Sequence, residues 1–147
     1  MTAGVALGVS RYEDIAVGET LPALAIPLTR TLIVSTAIAT RDFQDVHHDP
    51  ELARERGSKD VFMNILTSNG LAGRFVTDWA GPSATVGRVK IRLGAPNYPG
   101  DTMTMTGEVV AKANGHVEVQ VVGANSLGNH LSGTVTVVYP AAQGRDA

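Results

Sequence analysis

Three aspartates and two histidines lie close together between Ala39 and Pro50, directly after an apolar, threonine-rich segment. Acidic and imidazole side chains are costly to place near a hydrophobic core unless they are paired or used in chemistry. Asp42 and His47 are five positions apart, so both can face one cleft if this segment forms a short helix or turn. A carboxylate and an imidazole that share one water molecule can move a proton on and off that water. The spacing therefore predicts an acid–base site.

Two other interpretations of this segment are structural and metal-binding. Asp42 could cap a short helix while His47 is a satisfied interior histidine. A metal site at His47, His48 and Asp49 is disfavoured, because adjacent ligands rarely converge on one ion and the sequence offers no further ligand cluster. On a helix His48 would point about 100° away from His47, which indicates a surface or supporting residue. We therefore expect no metal.

The composition limits the class of protein. With 147 residues and a formal net charge of -2, the chain is expected to form one domain with a sizeable core, residues 1–11 and 140–147 being flexible tails. Nucleic acid and anionic membranes are not expected as partners, since no basic run is present. The absence of cysteine excludes disulfides and thiolate sites. No apolar run approaches the roughly 20 residues of a membrane span, and no signal peptide is evident, so we expect a cytoplasmic protein.

The hydrophobic pattern predicts one long helix from Ile65 to Trp79, with Asn64 as its N-cap and a stop at Gly81. Its apolar side chains recur at every fourth position, at Leu71, Phe75 and Trp79. Gly70 and Gly73 each cost the helix about 1 kcal/mol relative to alanine, which suggests close approach to another element.

Two shorter elements flank the acidic segment. Pro50 to Arg56 is expected to form a short helix that Gly57 ends. Thr29 to Thr40 is rich in threonine, valine and isoleucine, and is expected to begin as a strand and become helical toward Ala39.

Alternating apolar residues predict four strands after the long helix, at Ser83–Leu93, Thr102–Ala111, Val117–Asn125 and Leu131–Tyr139. Asn114-Gly115 is a strong hairpin signal, and Leu127-Gly128-Asn129 indicates a second turn. With one early strand, these segments form an antiparallel sheet of about five strands. The single long helix is the large element available to cover its apolar face. The predicted fold is therefore α+β, a hotdog fold with the sheet wrapped around the helix.

These residues resemble the MaoC-like (R)-specific enoyl-CoA hydratases. The family motif Asp-x-Asn-Pro-x-His, followed by Asp-Pro, is matched by Asp42, His47 and Asp49-Pro50, whereas Gln44 and Asp45 replace Asn-Pro. Further matches are Val17-Gly18-Glu19 and Gly100-Asp101.

Longer strings are similar to the small subunit of the actinobacterial steroid side-chain hydratases. These strings are STAIATRDFQDVHHD, GSKDVFMNILT and RFVTDWAGPSA, and the overall resemblance extends from about Tyr12 to Tyr139.

The resemblance implies a hydro-lyase subunit that adds water across the 2,3 double bond of an enoyl-CoA thioester. The implied substrate is a steroid whose shortened side chain carries the CoA thioester, as in cholesterol degradation. It assigns Asp42 and His47 as the catalytic pair. The backbone N–H of Asn64 stands where the family uses a glycine N–H to bind the enolate oxygen. Gln44 and Asp45 are supporting candidates or contacts of a partner, unless they are simply exposed. No cofactor is implied beyond the CoA of the substrate.

The resemblance also implies a larger MaoC-like partner subunit in a heterodimer or heterotetramer. A lone hotdog chain has an exposed sheet edge and an incomplete pocket, so a partner is expected on physical grounds too. Two alternatives stay open. A hotdog acyl-CoA thioesterase would need a carboxylate on the long helix, where only Asp78 is available, near the C-terminal end. A non-catalytic subunit would merely complete the site of its partner.

Overall fold

Alternating apolar residues along four long segments build the sheet of this protein. The computed structural model describes residues 10–141, within which five antiparallel strands lie in the order β1-β3-β4-β5-β2. The strands are β1 Leu24–Pro27, β2 Thr85–Leu93, β3 Thr102–Ala113, β4 His116–Asn125 and β5 Gly128–Val138. The α-helices of this part of the chain are α1 Arg30–Ala39, α2 Pro50–Glu55 and α3 Ile65–Ala80, and short 3-10 helices lie at Tyr12–Asp14 and Asp45–His47. The predicted tails lie outside the described residues, apart from Ser10, Arg11, Pro140 and Ala141.

The long helix α3 covers the apolar face of the sheet, as the sequence predicts. Every second side chain of the central strands points inward and is fully buried, as in Val117, Val119 and Val121. Phe75 of α3 packs on this face at Gly107 of β3, where an added Cβ would lie 2.9 Å from the Phe75 ring. The ring therefore occupies the space that glycine leaves, which fixes the height of the helix over the sheet. The predicted α+β hotdog architecture is confirmed.

The segment Thr29–Thr40 forms the helix α1 (Arg30–Ala39) with one capping residue at each end, so the prediction that it begins as a strand is wrong. Thr29 caps α1 by accepting a hydrogen bond from the Leu32 N–H at 3.0 Å. The hydroxyl of Thr36 donates to the Leu32 carbonyl one turn back, at 2.7 Å. Such internal bonds satisfy the hydroxyl of a β-branched residue within a helix. The early strand is instead β1, which lies before this segment at Leu24–Pro27.

The remaining boundaries differ little from the predicted ones. The short helix begins at Pro50, and α3 begins after its predicted cap Asn64. The Asn114-Gly115 turn has positive φ at both residues, as a tight hairpin requires. The second turn lies at Ser126-Leu127, slightly earlier than predicted, because β4 and β5 pair up to Asn125 and Gly128.

The two helix glycines do not mark a close contact, so that prediction is also wrong. Apart from its chain neighbours and the backbone of α3 itself, an added Cβ on Gly70 or Gly73 would meet no heavy atom within 4 Å.

An ion pair joins the start of α1 to the loop that leads into α3. The two terminal guanidinium nitrogens of Arg30, Nη1 and Nη2, each donate to one oxygen of the Asp60 carboxylate at 2.8 Å. The Asp60 carboxylate also accepts the backbone N–H of Val61 at 2.7 Å. The hydrogen-bonded Arg30 guanidinium is the main reason that the pKa of Asp60 falls to about 2.

Replacing Gly73 by alanine is expected to stabilise the protein by about 1 kcal/mol. Alanine has a much higher helix propensity than glycine, and the space beside the Gly73 Cα is free. Thermal and urea unfolding of the variant, compared with wild type in the same assembly state, measure this gain.

Gly107→Ala is the matched control, because it makes the same chemical change where a Cβ would meet Phe75, Val119 and the Gln120 carbonyl. Overpacking of this kind costs about 1–3 kcal/mol. A Gly73→Ala protein that unfolds at the same denaturant concentration as Gly107→Ala would contradict the packing described for α3.

The Arg30–Asp60 pair predicts a specific acid sensitivity. The folded-state pKa of Asp60 lies below its unfolded value, so the pair contributes stability above about pH 4 that is lost as the pH falls toward 2. Asp60→Asn is expected to be less stable than wild type at pH 7 and to lose less stability between pH 4 and 2. Unfolding by urea at each pH measures both. Arg30→Gln should flatten the profile in the same way, and an unchanged slope in both variants would refute the coupling.

Candidate active site

The end of helix α1 fixes the backbone of Asp42. Arg41 adopts a left-handed conformation with φ of 57°, and its N–H donates to the Ile38 carbonyl at 3.0 Å. The N–H of Asp42 donates to the Ala37 carbonyl at 2.9 Å. These two bonds form a Schellman motif, which ends the helix and satisfies its last carbonyls. Asp42 therefore leaves α1 in a defined direction.

The 3-10 helix Asp45–His47 presents His47 to the same place. His47 is only 8% exposed, and its ring packs edge-on against the Phe62 ring, with the centroids 4.9 Å apart. The His47 Nδ1 lies 2.7 Å from the Phe62 carbonyl oxygen. Since a carbonyl only accepts, Nδ1 carries the hydrogen of the bond, and in the neutral ring Nε2 keeps a free lone pair.

Asp42 and His47, the two residues predicted to act together, approach each other at this ring nitrogen. The Nε2 of His47 lies 3.5 Å from Oδ2 of Asp42. In the neutral imidazole both atoms are acceptors, so they do not bond to each other directly. One water molecule can donate a hydrogen to each, and its own lone pairs then face away from both. The geometry therefore suits activation of a shared water, as the spacing in the sequence predicts.

Asn64 joins this pair to helix α3. Its side-chain oxygen accepts the Thr67 N–H at 3.2 Å, which confirms Asn64 as the N-cap. Its side-chain nitrogen donates to Thr40 Oγ1 at 2.9 Å and to Asp42 Oδ2 at 3.1 Å. Asn64 is 1% exposed, so these bonds replace water completely. The sequence predicted the cap but not the contact with Asp42.

A pocket of about 290 Å³ opens beside the pair. Its lining residues are Asp42, His47, Phe62, Met63, Ile65, Leu93, Gly94, Pro96 and His130. The start of α3 borders this pocket, and within residues 10–141 the backbone N–H groups of Asn64 and Ile65 donate to no other group. Asn64 has φ of -79° and ψ of 160°, which any residue adopts, so this position does not require the family's glycine.

The other candidates of the acidic segment have structural contacts. Asp49, not Asp42, caps α2, by accepting the Glu51 N–H at 3.0 Å, so the alternative that Asp42 caps the short helix is wrong. Asp45 pairs through both carboxylate oxygens with Arg56, which lowers the pKa of Asp45 and ties the 3-10 helix to α2.

Gln44 and His48, which lie close to Asp42 and His47 in the sequence, differ in how far they are buried. The exposed Gln44 contributes its backbone N–H, which lies 3.4 Å from Asp42 Oδ1. His48 is half-buried, and its Nδ1 has no hydrogen-bond partner in the described part of the chain.

His130 of β5 is a residue of this region that the sequence did not single out. It is 2% exposed, with Nδ1 at 2.7 Å from the Ala95 carbonyl and Nε2 at 2.7 Å from the Ser68 hydroxyl. Burial lowers the pKa of His130 below its ordinary value. A lone histidine in an alternating strand gives no local signal, because its partner on α3 is 62 positions away.

Other kinds of site find little support in residues 10–141. No three His, Cys, Asp or Glu side chains in this range are grouped closely enough to hold a metal ion. No helix in it is both long and apolar enough to cross a membrane. Asp78, the carboxylate that a thioesterase mechanism would need, lies two residues from the end of α3 and pairs with Arg74 at 3.3 Å.

Comparison with known proteins places these observations in a family. The sequence matches the model of the MaoC like domain over residues 14–130. It is 56% identical over 119 residues to the 3-oxo-4,17-pregnadiene-20-carboxyl-CoA hydratase beta subunit of Mycobacterium tuberculosis, and the match covers 81% of this chain and 92% of that protein.

Solved structures agree with the predicted hotdog fold. A chain of the ChsH1-ChsH2 complex from Mycobacterium tuberculosis superposes with a TM-score of 0.83 and 54% identity, over 85% of this chain and 98% of that one. The R-hydratase PhaJ1 from Pseudomonas aeruginosa shares the fold with a TM-score of 0.80 at 20% identity, over 88% of this chain and 84% of that one. On the extent of the domain match and the identity to the mycobacterial subunit, this chain belongs to the MaoC-like family.

Proposed function

We propose that this chain is the catalytic subunit of an enoyl-CoA hydratase, in which Asp42 and His47 activate one water molecule. The observation that carries the proposal is the pair of acceptors, Asp42 Oδ2 and His47 Nε2, held 3.5 Å apart at the edge of a pocket. Ile65, the first residue of α3, lines the same pocket, and in the described part of the chain its backbone N–H donates to no other group. Hydration of an enoyl thioester needs such a base, an acid and an oxyanion site close together.

The first step is addition of water to the β-carbon. The shared water passes one proton to the Asp42–His47 pair while its oxygen forms a bond to the β-carbon. The electrons of the double bond move to the thioester oxygen, which becomes an enolate. The N–H groups of Asn64 and Ile65 and the dipole of α3 stabilise that negative charge.

The second step returns the proton to the α-carbon. The enolate collapses, the carbonyl re-forms, and the pair delivers the proton that it took from water, so the net change is the addition of one water. Since Asp42 and His47 lie on one side of the pocket, both new bonds form on the same face of the alkene. The reaction is therefore a reversible syn hydration that uses no cofactor beyond the CoA of the substrate.

The proposed substrate is a steroid whose shortened side chain carries the enoyl-CoA thioester. The support is the similarity to the mycobacterial subunit, whose name gives a pregnadiene carboxyl-CoA as its substrate, over 81% of this chain. The pocket of about 290 Å³ is much smaller than a steroid CoA thioester needs, so further walls have to come from another chain.

A larger MaoC-like subunit is the proposed source of these walls. The similar mycobacterial protein is named a beta subunit, and the matched crystal structure is a complex of two different proteins. In this chain Phe43, Ile65 and Leu66, beside Asp42 and at the start of α3, are 65%, 51% and 49% exposed. Exposed apolar side chains near a functional site are typical of an interface.

Asp42→Asn and His47→Asn are expected to lower kcat for hydration at least about 100-fold, the usual contribution of a positioned acid–base group. Asparagine at position 42 can still accept from Asn64, and asparagine at position 47 can still donate to Phe62, so both variants should fold. Loss of ultraviolet absorbance of a steroid enoyl-CoA, with the partner subunit present, measures the rate.

Asp78→Asn is the matched control, since it makes the same carboxylate-to-amide change at the far end of α3. It should keep the wild-type rate. Near-normal hydration by both the Asp42 and the His47 variants would disprove the assignment. Release of free CoA that Asp78→Asn abolishes would instead support thioesterase chemistry.

Leu66→Asp is expected to weaken association with the partner subunit at least tenfold, because it places a charge in an apolar interface. Val17→Asp introduces the same charge at an apolar residue that is 61% exposed, on the turn that bonds to β3, and should leave association unchanged. Co-purification and sedimentation of each variant with the partner measure the affinity. A wild-type chain that is a fully active homodimer without the partner would overturn the proposal.

A further inference from the structure

A buried hydrogen-bonded pair anchors the first turn of α3 to the sheet. Ser68 of α3 is 0% exposed and His130 of β5 is 2% exposed, and the Ser68 hydroxyl lies 2.7 Å from His130 Nε2. On its other side, His130 Nδ1 lies 2.7 Å from the Ala95 carbonyl. Buried polar groups are expensive unless every partner is in place, so this arrangement has one favoured position.

The hydrogens of this pair can be assigned. The Ala95 carbonyl only accepts, so His130 Nδ1 is the donor there. In the neutral ring Nε2 is then an acceptor, and the Ser68 hydroxyl donates to it. Burial favours the neutral ring by lowering the pKa of His130. His130 therefore uses both ring nitrogens to connect the loop before β3, its own strand β5, and α3.

Ser68 passes this constraint to the proposed active site. Its backbone N–H donates to the Asn64 carbonyl at 3.2 Å, while its one hydroxyl hydrogen is donated to His130. The side chain of Asn64 in turn donates to Asp42 at 3.1 Å. The turn that Ser68 fixes therefore holds both the Asp42 carboxylate and the free N–H groups of Asn64 and Ile65.

A serine that donates to a histidine also resembles a nucleophile with its base. Ser68 cannot act in that way here, because it is completely buried behind the first turn of α3 and no substrate carbon can reach its hydroxyl. The pair is thus suited to hold the helix in place.

We propose that His130 is a positioning residue, which acts through Ser68 to hold the N-terminus of α3, and with it Asn64 and Asp42, in the geometry that hydration needs. This inference rests on the proposed hydratase function. Groups that bind the developing enolate must be held within a few tenths of an ångström, since a small misplacement is costly in rate.

Two amide replacements of His130 separate its two contacts. His130→Asn can keep the donor to Ala95 but cannot reach Ser68, whereas His130→Gln places an acceptor near the Nε2 position and keeps the Ser68 contact. We expect His130→Asn and Ser68→Ala to lower kcat about 10- to 100-fold, with KM changed less than about threefold, because alignment is lost and not substrate binding. His130→Gln should retain most of the activity.

The double variant Ser68→Ala/His130→Asn is expected to be no slower than the worse single variant, since both remove one contact. Amide hydrogen exchange adds a readout that is independent of activity. The amides at the start of α3 should exchange faster in His130→Asn and Ser68→Ala than in wild type or His130→Gln. All measurements use the complex with its partner subunit.

Wild-type kcat in His130→Asn and Ser68→Ala, or additive losses in the double variant, would overturn the positioning role. So would unchanged exchange at the start of α3 in both single variants. If the wild-type complex hydrates no enoyl-CoA, the hydratase proposal fails. Hydrogen exchange then still decides whether the His130–Ser68 pair holds the helix.

Discussion

The candidate active site depends on the hydrogen bonds of one side chain, that of Asn64. One amide group caps α3, bonds to the end of α1 through Thr40, and holds the Asp42 carboxylate, and it is almost completely buried while doing so. A glycine at this position would offer a backbone N–H but none of these side-chain bonds. In this chain the start of α3 and the carboxylate therefore form one hydrogen-bonded unit, and loss of the amide would leave buried partners unsatisfied.

The sheet gives this unit a fixed place. Phe75 of α3 occupies the space over Gly107, and one turn beyond the helix start Ser68 is bonded to His130 of β5. The contact of Phe75 is apolar and sets the distance between the helix and the sheet. The hydrogen bond of Ser68 is directional, so it sets the rotation of α3 about its axis and its position along that axis. A helix held in both ways can present its N–H groups to a ligand without reorganising, which is the condition for strong electrostatic stabilisation.

Local patterns in the sequence were sufficient for the main elements and for the Asp42–His47 pair. The 3.6-residue period of α3 and the alternation of β3 and β4 are strong, and the pair needs only a short turn between its members. The first half of helix α1 was predicted as a strand because its threonines and isoleucines are typical of strands. The hydrogen bonds that satisfy its hydroxyl groups within the helix are not visible in the composition. The contacts of Asn64 with Asp42 and of Ser68 with His130 join positions 22 and 62 residues apart, which no local pattern encodes.

The arrangement also explains why this chain would combine a complete set of reacting groups with an incomplete pocket. The proposed acid–base pair lies on the segment between α1 and α3, and the proposed oxyanion site lies at the start of α3, so a single chain can hold them rigidly. The acyl group only has to be enclosed, and enclosure depends on shape and not on the precise placement of a few atoms. The exposed side chains of Ile65 and Leu66 stand next to the free N–H groups, so a partner that covers them would also exclude water from the enolate site. In the proposed reaction, binding of the partner therefore also strengthens the hydrogen bonds to the enolate oxygen, because hydrogen bonds to a developing charge are stronger away from bulk water.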